Sequence, residues 1–326
     1  MCKKDSRTTV RGHLTCAIIV EIVTIYKVSK LSARRLTMKS YRIPQLASGY
    51  IEYDMIEQYT ELPSFPDARV HLLYMFLNSG SRISLDHAEL YALVTSLIQI
   101  GLDTHETIDT EQGSQAENIM RSRQLKVLAG DYYSSIFYQL LSDRGQIEVI
   151  TLLSRAICDL NMMKMSLYAS IKSTQLSAEQ YLVQKVQLNM QLFLSFTPML
   201  EDSLRDLWKS LLHEISQCEI VMQELNHTQE GQPLKYGYSY WKMVELASVE
   251  DKLTLNGIEI DPIEWKKMMH KYKTMEHMRN SLRESVDRVQ HLLKSLKGDV
   301  RFLGIGQVLE PFLLFVNSSG TVLREG

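Results

Sequence analysis

The chain has 326 residues, with 36 Lys and Arg against 38 Asp and Glu, so its formal charge is −2. That balance leaves no electrostatic footprint for nucleic acid, because phosphate binding needs a clustered basic surface. Apolar residues make up 45% and charged residues 23%, enough to fill a large core, while fifteen Gly and seven Pro fall below the usual ~7% and ~5%. Tight turns demand those two residues, so a β-sandwich or barrel is disfavoured and a mostly helical protein is predicted.

Residues 1–37 differ from the rest. Lys3, Lys4, Arg7 and Arg11 precede an apolar run from Leu14 to Val28, and Lys30, Arg34 and Arg35 follow it. The run is shorter than the ~20 residues of a membrane span and carries Glu21, so no transmembrane segment is expected. No small-x-small cleavage site follows, which argues against a secretory signal. Met38 opens a polar stretch that reads like a natural start. The 1–37 segment is therefore expected to be a dispensable extension or a mis-assigned start, with a peripheral membrane anchor as the alternative.

Residues 38–326 read as one helical domain, because no Gly/Ser linker, charge block or repeat divides them. A helix over Pro66–Leu77 is expected to be apolar on one side. Ser84 and Asp86 can start a second before His87–Ile100, where Leu90, Leu93, Val94, Leu97 and Ile98 recur at three- and four-residue spacing. Arg123–Leu141 repeats that pattern, and 146–173, 177–196 and 199–225 each read as a further amphipathic helix. Ser177 resembles a cap, and Pro198 punctuates the junction before the third of these. Gly231, Pro233 and Gly237 mark a loop, after which a short helix covers Tyr240–Ala247. Asn256-Gly257 is a turn, and Asp261-Pro262 can start a long helix over 262–297 whose Met and Leu stripe reads as core. Beyond it lies an apolar piece, Val308–Val316, broken by Pro311. The expectation is an all-α protein of eight to eleven helices, larger than a four-helix bundle.

The residues that commonly announce chemistry are missing. The cysteines Cys2, Cys16, Cys158 and Cys218 form no Cys-x-x-Cys pair, which argues against a zinc ribbon or a thioredoxin-type site and fits idle thiols in a reducing cytosol. The nine histidines contain no His-x-x-x-His pair, and no Asp-Asp dipeptide occurs anywhere. The informative window is QIGLDTHETIDTEQGSQAENIMRSRQLKVLAGDYYSSIFYQLL, from Gln99 to Leu141. In it His105, Glu106 and Asp109 fall near a helix C-terminus, with Glu106 and Asp109 on one face. Two such carboxylates could hold a Mg²⁺ bridged to a diphosphate, but exposed acidic helix ends are commonplace.

This window resembles the first half of the trans-polyprenyl diphosphate synthases. In that family a helix ends in Leu-Ile-His-Asp-Asp-x-x-Asp, an Arg-Arg-Gly stretch follows, and the next helix begins Val-Leu-x-Gly-Asp-Tyr/Phe. Here Val127, Leu128, Ala129, Gly130, Asp131 and Tyr132 keep the second element, with residues 110–129 between Asp109 and Gly130. The first aspartate-rich motif then falls on His105, Glu106 and Asp109: a His and a Glu replace two aspartates and the third survives. Arg-Arg-Gly is absent, with Met120-Arg121-Ser122-Arg123 the nearest basic text. No second aspartate-rich motif is found around Leu211–Glu224.

The pattern is similar to the small, non-catalytic component of two-component heptaprenyl diphosphate synthases of Gram-positive bacteria, through Gly101–Glu106, Gln124–Tyr133 and Lys164–Tyr168. It is sharpest over 84–170 and does not cover 1–37. The resemblance implies the isoprenoid synthase fold and a cytoplasmic subunit without catalytic residues or a bound cofactor of its own. Ionising an allylic diphosphate takes a Mg²⁺ cluster held by two carboxylate-rich segments, and a His donor suits Mg²⁺ poorly. Mg²⁺ is therefore expected in a catalytic large component, the implied partner. With it the chain would act as a regulatory subunit while farnesyl diphosphate is extended by isopentenyl diphosphate to a C35 chain for menaquinone. In the resembling synthases the helix matching 123–141 runs beside the elongation tunnel. Gly130, Asp131, Tyr132, Tyr133, Ile136 and Phe137 are thus tunnel or interface candidates, unless the aromatics fill this subunit's own core. A helical scaffold that kept the fold, and an enzyme using His105, Glu106 and Asp109 in unfamiliar metal chemistry, are the competing readings.

Overall fold

The structure, a computed structural model, describes residues 40–52, 56, 62–108, 117–173, 176–229, 233–257 and 260–321. By its contacts the chain divides into Met1–Arg42 and Ile43–Gly326. The first unit, including the expected extension 1–37, lies almost wholly outside the described residues. In the second unit the described residues form α-helices and short 3₁₀ turns and contain no strand.

Twelve α-helices are described: α1 (Ile43–Ile51), α2 (Asp67–Ser79), α3 (Leu85–Glu106), α4 (Glu117–Ser142), α5 (Ile147–Lys172), α6 (Ala178–Leu194), α7 (Arg205–Gln229), α8 (Tyr238–Leu246), α9 (Val249–Leu255), α10 (Pro262–Lys271), α11 (Thr274–Lys294) and α12 (Glu310–Thr321). The starts follow local chemistry. The Ser84 hydroxyl accepts from the His87 amide at 3.2 Å and opens α3. Ser177 and Gln180 form a reciprocal capping box at the head of α6. Asp261 caps α10 through the Ile263 amide at 3.3 Å, with Pro262 in the first turn.

Helices α2 and α3 are innermost. Every residue from Ala68 to Leu77 is buried, and so is most of α3. Helix α2 packs on α3 and α7, and the 3₁₀ turns Val300–Phe302 and Ile305–Leu309 close over it. Phe76 anchors that junction, its ring centroid 5.3 Å from Trp208 and 5.0 Å from Phe302. Helix α4 covers α3, α5 follows α4 through a turn at Gly145 (φ 66°), and α6 joins α5 to α7. On the other side α7 pairs with α11.

Several expected boundaries move. The one-sided helix over Pro66–Leu77 is buried all round, since neighbours cover both faces of α2. The single helix over 262–297 is two, because Lys273 takes a left-handed conformation (φ 52°) between α10 and α11. Two 3₁₀ turns, Thr197–Met199 and Asp202–Leu204, precede α7, so it starts at Arg205 and not near 199. Pro311 does not break the last helix. It sits in the first turn of α12, where its missing N–H costs no hydrogen bond.

Candidate functional site

The two ends of the window Gln99–Leu141, 99–106 on α3 and 117–141 on α4, pack together, in the most extensive helix pair among the described residues. Two glycines set its distance. A Cβ on Gly101 would lie 2.7 Å from the Ser134 amide nitrogen and 2.9 Å from the Gly130 carbonyl oxygen. One on Gly130 would lie 2.7 Å from the His105 ring. The backbones therefore meet where side chains would normally separate them.

This approach separates the members of the altered aspartate motif. His105 lies over Gly130 and places Nε2 3.3 Å from a carboxylate oxygen of Asp131. Glu106 turns the other way. Its carboxylate meets Lys164 of α5 at 2.5 Å and Lys185 of α6 at 3.9 Å. Burial works to raise the Glu106 pKa, but Lys185 and then Lys164 outweigh it and hold the carboxyl below its ordinary value. Asp109, the motif's surviving aspartate, lies outside the described residues.

Behind Glu106 the polar network runs inward. Asp103 accepts from the Gln99 amide at 2.8 Å, and burial raises its pKa against the pull of Arg69. Arg69, only 3% exposed, reaches Gln99 Oε1 at 3.4 Å, donates to the Asn189 carbonyl at 2.7 Å and pairs with Glu219 of α7. Burial raises the Glu219 pKa against that same guanidinium. Further along α7, Glu224 accepts from the Tyr181 hydroxyl at 2.9 Å and from the Tyr238 amide at 3.1 Å. Asp103 and Glu106 on α3 and Glu219 and Glu224 on α7 are thus each engaged with the chain's own donors.

The fit to Mg²⁺ follows from those partners. Among the described residues no group of three or more His, Cys, Asp or Glu side chains could hold a metal ion. Glu106 is saturated by two ammonium groups, and His105 is directed to α4. These residues do not fit a magnesium cluster.

The remaining candidates divide between core and surface. Tyr133 is fully buried with Ile100 and Ala129, under Ile51, Ile56, Leu62, Phe65 and the half-buried Tyr132, and its hydroxyl donates to the Ile51 carbonyl at 2.9 Å. Phe137 is buried, Ile136 half-buried, and Asp131 exposed. Lys164 enters the sequence reading only as the start of the phrase Lys164–Tyr168, with no role, and Lys185 does not enter it. Their signal was a pair of lysines within otherwise apolar-faced helices, legible only once α5 and α6 are placed.

Residues 53–245 match the family model of heptaprenyl diphosphate synthase (HEPPP synthase) subunit 1. Component 1 of the heptaprenyl diphosphate synthase of Geobacillus stearothermophilus is 37% identical over 89 residues, which span 27% of this chain and 38% of that relative's length. Among solved structures, geranylgeranyl pyrophosphate synthase from Lactobacillus brevis superposes with a TM-score of 0.62 at 12% identity, covering 89% of this chain and 98% of the other. Heptaprenyl diphosphate synthase from Staphylococcus aureus gives 0.60 at 13% identity, over 86% and 96%. At such identities the likeness establishes the fold, which is the all-α fold of the trans-prenyl diphosphate synthases. No helix among the described residues is long and apolar enough to cross a membrane. With more than half its length matched to one family model, the chain belongs to the heptaprenyl diphosphate synthase subunit 1 family.

Proposed function

We propose that this chain is the non-catalytic, regulatory subunit of a heteromeric heptaprenyl diphosphate synthase. A catalytic large component would bind Mg²⁺ and extend farnesyl diphosphate with isopentenyl diphosphate to a C35 product for menaquinone. The observation that carries the reading is the state of Glu106. A carboxylate that would have to face a metal and a diphosphate is instead neutralised by Lys164 and Lys185, while His105 serves the α3–α4 contact. A family scaffold with a self-paired interior supports a structural part in the complex better than turnover of its own.

Incorporation of labelled isopentenyl diphosphate tests this. The purified chain with Mg²⁺ and farnesyl diphosphate should form no polyprenyl product above blank, and adding the large component should restore C35 synthesis. Steady product from the isolated chain would refute the reading, and so would full activity of the large component without this chain.

A further inference from the structure

A groove opens at the C-terminal end of α11, lined entirely by residues between 290 and 306 and with a volume of about 610 Å³. Its floor is apolar, formed by the buried Leu296, Phe302 and Ile305, with the half-buried Leu293 and Val300 on its sides. That floor is fixed to the core, since the Phe302 ring centroid lies 5.0 Å from that of Phe76. Gly298 (φ 94°) and Gly304 (φ 90°) supply the left-handed turns on either side of the 3₁₀ segment Val300–Phe302. Leu303, next to the second turn, also lines the groove yet is 72% exposed, which puts it at the lip.

Among the described residues, the charged side chains lining the groove are Lys294, Lys297 and Asp299. Asp299 is occupied by Arg301, whose Nη2 and Nε donate to one carboxylate oxygen at 2.7 and 3.0 Å. The same guanidinium donates to Glu201 at 3.2 Å. Asp287 and Glu310, the next acids along the chain on either side, are not part of the lining. Lys294 and Lys297 are both exposed, stand three residues apart, and form no ion pair among the described residues. Two unmatched ammonium groups beside an apolar hollow are complementary to an amphiphile with an anionic head.

We propose that this corner of the domain docks on a membrane surface rich in anionic lipid. Leu303 and the groove take the acyl boundary, while Lys294 and Lys297 meet headgroup phosphates. A small amphiphile lying in the groove would leave the protruding Leu303 in water, whereas a bilayer covers hollow and lip together. A second copy of this chain, seated symmetrically on the same face, would bring Lys294 and Lys297 against their own equivalents.

Co-sedimentation of the full-length chain, alone and with the large component, tests the assignment. The vesicles are mixed phosphatidylglycerol and phosphatidylcholine, with pure phosphatidylcholine as reference. Wild type should bind the anionic vesicles more tightly and lose that preference as salt rises from about 0.1 to about 0.5 M. A lysine near an anionic surface contributes about fivefold in affinity, so Lys294→Gln combined with Lys297→Gln should weaken binding about 25-fold. Leu303→Ser should weaken it roughly tenfold. Leu253→Ser on α9, at a position equally exposed at 72%, should leave it unchanged. All four positions are exposed, so melting temperatures should stay within about 2 °C of wild type. Residues 1–37 carry basic and apolar residues of their own, so the deciding quantity is the difference between variants. Equal binding by wild type and the groove variants, no binding to anionic vesicles, or a loss in Leu253→Ser matching that in Leu303→Ser overturns the proposal. Unchanged vesicle binding with lowered affinity for the large component would also overturn it, by assigning the groove to a protein contact.

Discussion

Replacing Arg69 with Ala should destabilise the domain by roughly 3–5 kcal/mol, because it leaves the Glu219 carboxylate buried without its counter-charge. Arg69 is almost completely enclosed, and it binds Glu219, Gln99 and the Asn189 carbonyl at once, with its guanidinium 4.9 Å from the Phe193 ring centroid. The loss should depend on pH with a definite sign. Burial already raises the Glu219 pKa, and Arg69 is the main influence lowering it. Without Arg69 the folded-state pKa rises further above the unfolded one, so the variant's stability is greatest while the carboxyl is protonated and is lost as pH rises through the folded pKa. Urea unfolding of Arg69→Ala from acid to neutral pH should show the deficit growing with pH. Arg69→Met with Glu219→Leu should recover most of it, since removing both members of a buried pair leaves no stranded charge. A deficit that shrinks with rising pH would contradict this assignment.

Gly101→Ala is expected to have the second large effect. The new methyl would meet backbone atoms of Ser134 and Gly130 at 2.7 and 2.9 Å, and backbone of a packed helix cannot step aside as a side-chain tip can. Overpacking of this sort costs about 1–3 kcal/mol, and Gly101→Val should exceed it. Gly306→Ala is the control, as nothing lies within 4 Å of its Cβ position. Calorimetry should show a clear fall in melting temperature for both Gly101 variants and almost none for the control.

The reasons some of this was legible in the sequence, and some not, lie in the range of the interactions. Ser84, Ser177 and Asp261 act on amides two or three residues away, so their caps could be read locally. Leucine spacing gave α3 and α4, and the Gly-Asp-Tyr phrase at its fixed distance from the altered aspartate motif pointed to the fold. Arg69 was a different matter. Within Asp67–Ser79 it looks like the polar side of an amphipathic helix, and only its contact with Glu219, 150 residues on, explains a charge amid buried neighbours. In the sequence Glu106 reads as a remnant of the aspartate-rich motif, which its chemistry allows. What redirects it is Lys164 and Lys185 on two later helices. The break between α10 and α11 carries no Gly or Pro at all, because a lysine adopts the left-handed turn. Short α9 has no signature in the sequence, since seven residues between Ser248 and Asn256 are too few for periodicity to show.

We propose that Glu106, held by Lys164 and Lys185, takes no part in binding diphosphate in this subunit. Counting the sites in the complex tests it most directly. Calorimetric titration of the reconstituted complex with a non-reacting farnesyl diphosphate analogue and Mg²⁺ should saturate at one molecule per pair of chains. Glu106→Ala in this subunit should leave that number unchanged. Two molecules bound per pair, or a second site lost with Glu106→Ala, would contradict it.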